Sequence, residues 1–244
     1  MNGEQIKTTG MVISAISIGE YDKRITILTK ELGKIQAFVR GAKRPNSRFS
    51  AVANPFAFGC FDLYAGRSAY NLASASISNY FDSLKTDLEA IYYGSYFLEL
   101  ADYYSRENLE AKQFLNLIYL SLTALTDSRF PKELVRFIYE LKTLVINGEY
   151  PDLFHCVLCG KEKELVGFSA NRNGCICKSC LSQTATEVLL PSALYAMQYV
   201  ISAPIAKLFT FKVTDEVLEN LQRVMKQLMH KSVDRQLKSL AFLE

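Results

Sequence analysis

Five of the six cysteines fall in one short stretch: Cys156, Cys159, Cys175, Cys177 and Cys180. Cys156-Val157-Leu158-Cys159-Gly160 and Cys177-Lys178-Ser179-Cys180 are two C-x-x-C pairs with 17 residues between them. Each short turn aims two sulfurs at one point, and two such turns complete a tetrahedron, so the spacing points to zinc. Four thiolates (Cys156, Cys159, Cys177 and Cys180) leave no open position for water or substrate. The Zn²⁺ is therefore expected to be structural, one per chain. Cys175 is an alternative to Cys177, pairing with Cys180 as C-x4-C. Disulfides are not expected in a cytoplasmic chain, and His155, next to the cluster, is not needed as a ligand. Cys60 is expected to be a small buried hydrophobe in a strand.

The chain has only two histidines, His155 and His230, and no tryptophan. It also lacks a GxSxG elbow, a P-loop and an HExxH helix. Nothing local suggests catalysis, so a non-enzymatic protein is expected.

A second group of residues is chemically conspicuous. Arg40-Gly41-Ala42-Lys43-Arg44-Pro45-Asn46-Ser47-Arg48 carries four positive charges and no acid. Gly41 and Pro45 break regular structure there, so an exposed, mobile loop is expected. Residues 1–50 hold nine basic and four acidic residues, a net of +5, whereas residues 81–110 hold two and seven, a net of −5. The overall charge of +3 conceals this asymmetry.

The elements that must carry these groups follow from periodicity. Met11–Ile18, Lys23–Thr29, Lys34–Val39, Phe56–Tyr64 and Ser68–Ile77 read as strands, with Ile35, Ala37 and Val39 alternating against Gln36 and Phe38. Gly33 suits a hairpin at positive φ. Five short strands in about eighty residues suit a small barrel, which removes sheet edges. From Asp82 the period becomes helical, with Leu84, Leu88, Ile91 and Tyr92 on one stripe. Helices are expected over Lys112–Leu125 and Lys132–Ile146, the latter ending at Asn147-Gly148, then near Ser192–Ala203 and Asp215–Val233. The fold class is α+β: a barrel domain over 1–80 and a helical domain over 81–244, with a cysteine-bearing insert at about 154–182. At 244 residues, 49% hydrophobic and 22% charged, the composition is that of a globular chain. The N-terminus shows no signal architecture and no apolar run reaches membrane length, so a cytoplasmic protein is expected.

The order and spacing of several stretches resemble the bacterial DNA repair protein RecO family along nearly the whole chain. They are Gly10-Met11-Val12-Ile13 through Gly19-Glu20-Tyr21-Asp22-Lys23-Arg24, then Leu28-Thr29-Lys30-Glu31-Leu32-Gly33-Lys34. Gly41-Ala42-Lys43-Arg44, Ser47-Arg48 and Pro55-Phe56 follow. Gly148-Glu149-Tyr150-Pro151-Asp152-Leu153 leads into the first knuckle, and Leu237-Lys238-Ser239 lies near the end. The resemblance implies an N-terminal five-stranded OB-fold and a helical domain with a zinc-binding insert. It also implies a non-enzymatic, nucleoid-associated role in recombinational repair after DNA damage. Such proteins bind single- and double-stranded DNA, anneal complementary strands, engage single-strand-binding protein through its C-terminal tail, and act with RecR to help load RecA. Where that family often has Gly-Gly before the second knuckle, this chain has Asn173-Gly174 followed by the extra Cys175.

On this reading the DNA-binding candidates are Arg40, Lys43, Arg44 and Arg48 in the loop, with Lys23, Arg24 and Lys34 on nearby strand starts. Tyr21, Phe38 and Phe49 are candidates for base stacking, Phe38 being better suited to core packing. Arg129, Lys132 and Arg136 with Phe130 and Leu134 have the composition of a receptor for an acidic, apolar-ended tail, but an ordinary amphipathic helix with a basic outer face is the favoured reading. The competing function is a protein-interaction scaffold whose barrel binds a partner protein, with DNA contact incidental.

Overall fold

A computed structural model describes residues 5–243; Met1–Glu4 and Glu244, at the outer ends of the two expected domains, lie outside the described residues. The described chain forms two compact units. One runs to Thr126 and takes back the segment from Leu237, and the other is Asp127–Gln236. These units do not coincide with a division at 80/81, because the first two long helices cluster with the barrel.

In the first unit β1 (Gln5–Ile18), β2 (Asp22–Thr29), β3 (Gly33–Val39), β4 (Phe58–Tyr64) and β5 (Tyr70–Asn79) close into a barrel of order β1-β2-β3-β5-β4. Strand β1 is longer than its apolar run suggests. Its polar first half, Gln5–Gly10, pairs with Tyr64–Gly59 of β4, and its second half pairs with β2. At the bend a Cβ on Gly10 would lie 2.7 Å from the Leu28 carbonyl oxygen, so only glycine lets the strands approach there. Closure comes from a parallel pairing of β3 with β5 through Ala37↔Tyr70 and Phe38↔Asn71. The inward residues, Val12, Ile25, Ile27, Ile35, Ala37, Val39, Phe61, Leu63 and Leu72, fill the barrel.

Residues 40–57 link β3 to β4. They form consecutive turns, with Arg44 N–H donating to Gly41, Ser47 to Arg44, and Ser50 to Ser47 (each 3.1 Å). Ala42, Val52, Ala53 and Ala57 enter the barrel core. The expected mobile loop is thus a folded connection whose apolar residues are buried and whose cations stay outside.

The helical stripe also differs from expectation. Asp82–Thr86 is a 3-10 turn with Leu84 buried, and Asp87 caps α1 (Leu88–Tyr104) by accepting from the Ala90 N–H at 3.1 Å. With the helix starting there, Leu88 is 67% exposed. The buried face is Tyr93, Tyr96, Phe97, Leu100, Ala101 and Tyr104, spaced three and four apart. α2 (Lys112–Leu125) packs on α1. Gly33, at φ 65°, meets the segment after α1: a Cβ there would lie 2.1 Å from the Arg106 carbonyl oxygen.

In the second unit α3 (Lys132–Ile146) is central and packs against α4 (Pro191–Ser202) and α5 (Asp215–Ser232). It ends as its sequence indicates. Gly148 adopts φ 74°, its N–H donates to Val145, and the Glu149 N–H donates to Leu144 at 2.9 Å. Lys142 is buried on α3, and its Nζ donates to the carbonyls of Val200, Ile201 and Ala203 (2.7–3.1 Å), satisfying the C-terminal end of α4. Burial pushes its pKa down. In α5 the Thr214 hydroxyl accepts from the Val217 N–H, Asp215 and Glu216 lie in the first turn, and His230 and Lys231 lie in the last. The insert forms a sheet of its own, ordered β6 (Asp152–Cys156), β8 (Gly174–Cys177), β7 (Leu165–Ser169) and β9 (Glu187–Val188). No helix among the described residues is long and apolar enough to cross a membrane.

Gly33→Ala should be severe, because positive φ and the carbonyl contact act together. A loss of about 2 kcal/mol or more in urea unfolding is expected, against a smaller loss of about 1 kcal/mol for Gly148→Ala, where only φ is strained and a Cβ meets nothing within 4 Å.

Candidate functional site

Cys156 ends β6, and the chain then turns so that the Gly160 N–H returns to the Cys156 carbonyl at 2.8 Å, with Gly160 at φ 76°. Cys177 ends β8, and Cys180 follows in the 3-10 turn Lys178–Gln183. The sulfurs of Cys156, Cys159, Cys177 and Cys180 all lie within 4.8 Å of one another, and Cys159 Sγ is 3.6 Å from Cys177 Sγ. A tetrahedron with metal–sulfur bonds of about 2.3 Å has edges of roughly 3.8 Å, so the four sulfurs fit one ion. They can hold a metal, and no carboxylate or imidazole belongs to the set. For Cys156, burial acts to raise the pKa, but backbone hydrogen bonds from Cys177, Leu158 and Cys159 bring it down to about 6. Cys180 is pushed up to about 12 by burial and by its hydrogen bonds to the other three thiols. Crowded thiols of this kind cannot all ionise without a cation among them.

Cys175 lies outside the set. It is fully buried, and burial, with the charges of Asp152 and Cys156, pushes its thiol up to about 12. Its sulfur is a core group, and the four sulfurs that cluster are those of the two C-x-x-C pairs. His155 turns to Asp152, with Nδ1 3.3 Å from Oδ2. Cys60 is half-buried on the outer face of β4, opposite the inward Phe61 and Leu63, rather than in the core.

The basic candidates divide into two groups. Arg40, Lys43, Arg44 and Arg48 are exposed on the 40–57 connection. Arg40 and Lys43 make no side-chain hydrogen bond or ion pair among the described residues. The Arg44 guanidinium lies over the Tyr21 ring, 5.4 Å from its centroid, and that of Arg48 over the Phe49 ring at 4.6 Å. Lys23 and Lys34 are engaged. Lys23 Nζ donates to Asn54 Oδ1 at 2.7 Å and to the Ala53 carbonyl at 3.2 Å, holding the connection against β2. Lys34 Nζ donates to the Asp102 carbonyl at 2.6 Å and sits 3.2 Å from its carboxylate. Arg24 stands on the outer face of β2, half-buried.

That outer face carries a row the sequence reading divided wrongly. Ile16, Arg24, Phe38, Asn71 and Tyr64 are register partners in turn across β1, β2, β3, β5 and β4. Phe38 is half-buried on this outer surface and not in the core. Its alternation against the inward Ile35, Ala37 and Val39 was the signal. Ile16 and Tyr64 in the same row are exposed.

The segment from Arg129 is the ordinary helix start. Arg129 chelates Asp127, whose carboxyl is held down at about 2 chiefly by that guanidinium, Arg136 pairs with Glu140 at 2.8 Å, and Leu134 is fully buried. A groove of about 690 Å³ lies between α4 and the segment that leads into α5, lined by Tyr195, Tyr199, Phe211, Lys212 and Val217.

Family models described as "Recombination protein O N terminal" and "Recombination protein O C terminal" match residues 1–81 and 85–241. The chain belongs to the RecO family of DNA repair proteins. A protein named DNA repair protein RecO from Acetivibrio thermocellus is 29% identical over 242 residues, covering 98% of this chain and 96% of its own length. One of the same name from Bacillus subtilis is 30% identical over 239 residues, covering 98% and 93%. Another, from Bacillus pumilus, is 33% identical over 188 residues, covering 77% and 73%.

Cys156→Ser and Cys180→Ser should each lose the bound metal and destabilise the insert, because ligation energy there is folding energy. Cys175→Ser should keep it. Elemental analysis of protein purified without chelator, with the melting temperature of each variant, checks all three.

Proposed function

We propose that this chain binds single- and double-stranded DNA through its barrel, residues 1–80, and through the cations of the 40–57 connection. The helical region, 81–244, carries the insert at about 154–182, where Cys156, Cys159, Cys177 and Cys180 hold one structural Zn²⁺. The observation that carries the reading is the set of four exposed cations, Arg40, Lys43, Arg44 and Arg48, on a folded, acid-free segment over the barrel. Arg24 adds a charge on the adjoining face, whereas Lys23 and Lys34 serve to hold the surface together.

Contacts of this kind grip phosphates, which are alike at every base, so binding is indifferent to sequence. A strand held by its phosphates keeps its base edges free to pair. Two strands neutralised on one surface then lose the repulsion that opposes their meeting, and this supports annealing of complementary strands. Family membership supports the wider role: recombinational repair in the cytoplasm at the nucleoid, with RecR, helping to load RecA onto single strands covered by single-strand-binding protein. For the acidic, apolar-ended tail of that partner, the groove beside Lys212 fits better than the paired arginines at the start of α3. No step in this role breaks a covalent bond, and incubation with ATP and labelled DNA should give no turnover that a point variant abolishes. The scaffold reading, with DNA contact incidental, differs in its salt dependence.

Changing Arg40, Lys43, Arg44 and Arg48 together to Ala should reduce the log–log salt slope of duplex binding by roughly 3.6, at about 0.9 per phosphate contact. Strand annealing should be lost, while metal content and melting temperature stay close to the parent's. An unchanged slope in a folded variant would favour the scaffold.

A further inference from the structure

Phosphate contacts explain binding to both forms of DNA but not how a surface favours a single strand. That preference needs a ring on which an unpaired base can stack, because the bases of a duplex are already stacked and out of reach. Three aromatic side chains stand beside the cations. Phe49 packs partly against the barrel core, so its ring is committed to the fold. Phe38 is half-buried between neighbours on the outer row. Tyr21 is different: it is 42% exposed, and no other aromatic ring touches it among the described residues.

The position of Tyr21 is nonetheless fixed. It is the last residue of the β1–β2 turn, in which Gly19 adopts φ 57°. Its carbonyl accepts from the Lys43 N–H at 2.9 Å, and the neighbouring Asp22 carboxylate accepts from the Gly41 N–H at 2.7 Å. Two backbone segments far apart in sequence are thereby joined, so the exposed ring and the basic connection form one surface. Arg44 completes it, with its guanidinium 5.4 Å from the ring centroid. The ring is 42% exposed, and its hydroxyl hydrogen-bonds Glu20. Placed among phosphate-binding cations, it has the composition of a stacking platform with its backbone clamp beside it.

We propose that Tyr21 stacks an unpaired base of single-stranded DNA, with Arg44 and Lys43 holding the adjoining phosphates, and that this contact sets the preference for single strands over duplex. The proposal rests on the DNA-binding reading above and adds a base-contacting residue to it.

The absence of tryptophan makes the test direct, because Tyr21→Trp carries the only indole in these 244 residues. Titration of that variant with an oligothymidylate should quench its fluorescence, and a blunt duplex of equal length should not. Tyr21→Ala should weaken single-strand affinity about tenfold without changing duplex affinity, and Tyr21→Phe should restore it. Melting temperatures of the three variants control for folding. If the oligonucleotide binds the Trp variant without quenching and Tyr21→Ala binds as the parent does, Tyr21 is not a base platform, whatever the four cations do. Equal quenching by duplex also overturns the assignment. A parent chain that binds neither form overturns this proposal together with the DNA-binding reading.

Discussion

Ala37 and Phe38 meet Tyr70 and Asn71 over only two residues, and that short parallel contact closes the barrel. Its consequence is topological. Strand β4 pairs with β1 on one side and β5 on the other, so β3 and β4 are not neighbours. The chain leaving β3 must cross the end of the barrel before it can enter β4, and a tight hairpin cannot do that. Residues 40–57 make the crossing. Their inner side supplies Ala42, Val52, Ala53 and Ala57 to the core, and Arg40, Lys43, Arg44 and Arg48 stay exposed on the outer side. Cations placed there are exposed by construction and held by turns, on a segment that itself carries no acid. The electrostatic surface is thus a by-product of how this barrel closes.

The cysteine cluster answers a different constraint. The four strands of the insert are only two to five residues long, so their sheet offers few hydrogen bonds to hold the chain. Four sulfurs brought within 4.8 Å repel one another when ionised, and a metal ion held among them would turn that repulsion into cross-links between the end of β6 and the end of β8. Elsewhere in the same unit Lys142 does comparable work with an amine, gathering three carbonyls at the end of α4 that would otherwise be buried without donors.

Much of this was legible in the residues because the signals were local. The two C-x-x-C pairs encode their own geometry. Gly33 and Gly148 stand where the backbone needs positive φ. Ile35, Ala37 and Val39 alternate because one face of β3 is buried. What escaped depended on contacts distant in sequence. The polar start of β1 is a strand only because β4 lies beside it. Leu88 belongs to an apparent stripe that the Asp87 cap cuts off. Lys23 and Lys34 share charge with the loop cations, but Asn54 and Asp102 hold them, and neither partner is near in the chain. The strands of the insert were missed because they are shorter than any periodicity can reveal.

Hydrogen–deuterium exchange on the unsubstituted chain, with and without a single-stranded oligonucleotide, reads the central claim most directly, because it locates the contact without substituting a residue. Protection should appear over residues 40–57 and over β2 and β3, with no change across Cys156–Cys180. Protection confined to α5, where Arg223, Lys226 and Lys231 lie, or none anywhere under conditions where DNA is bound, would contradict the account.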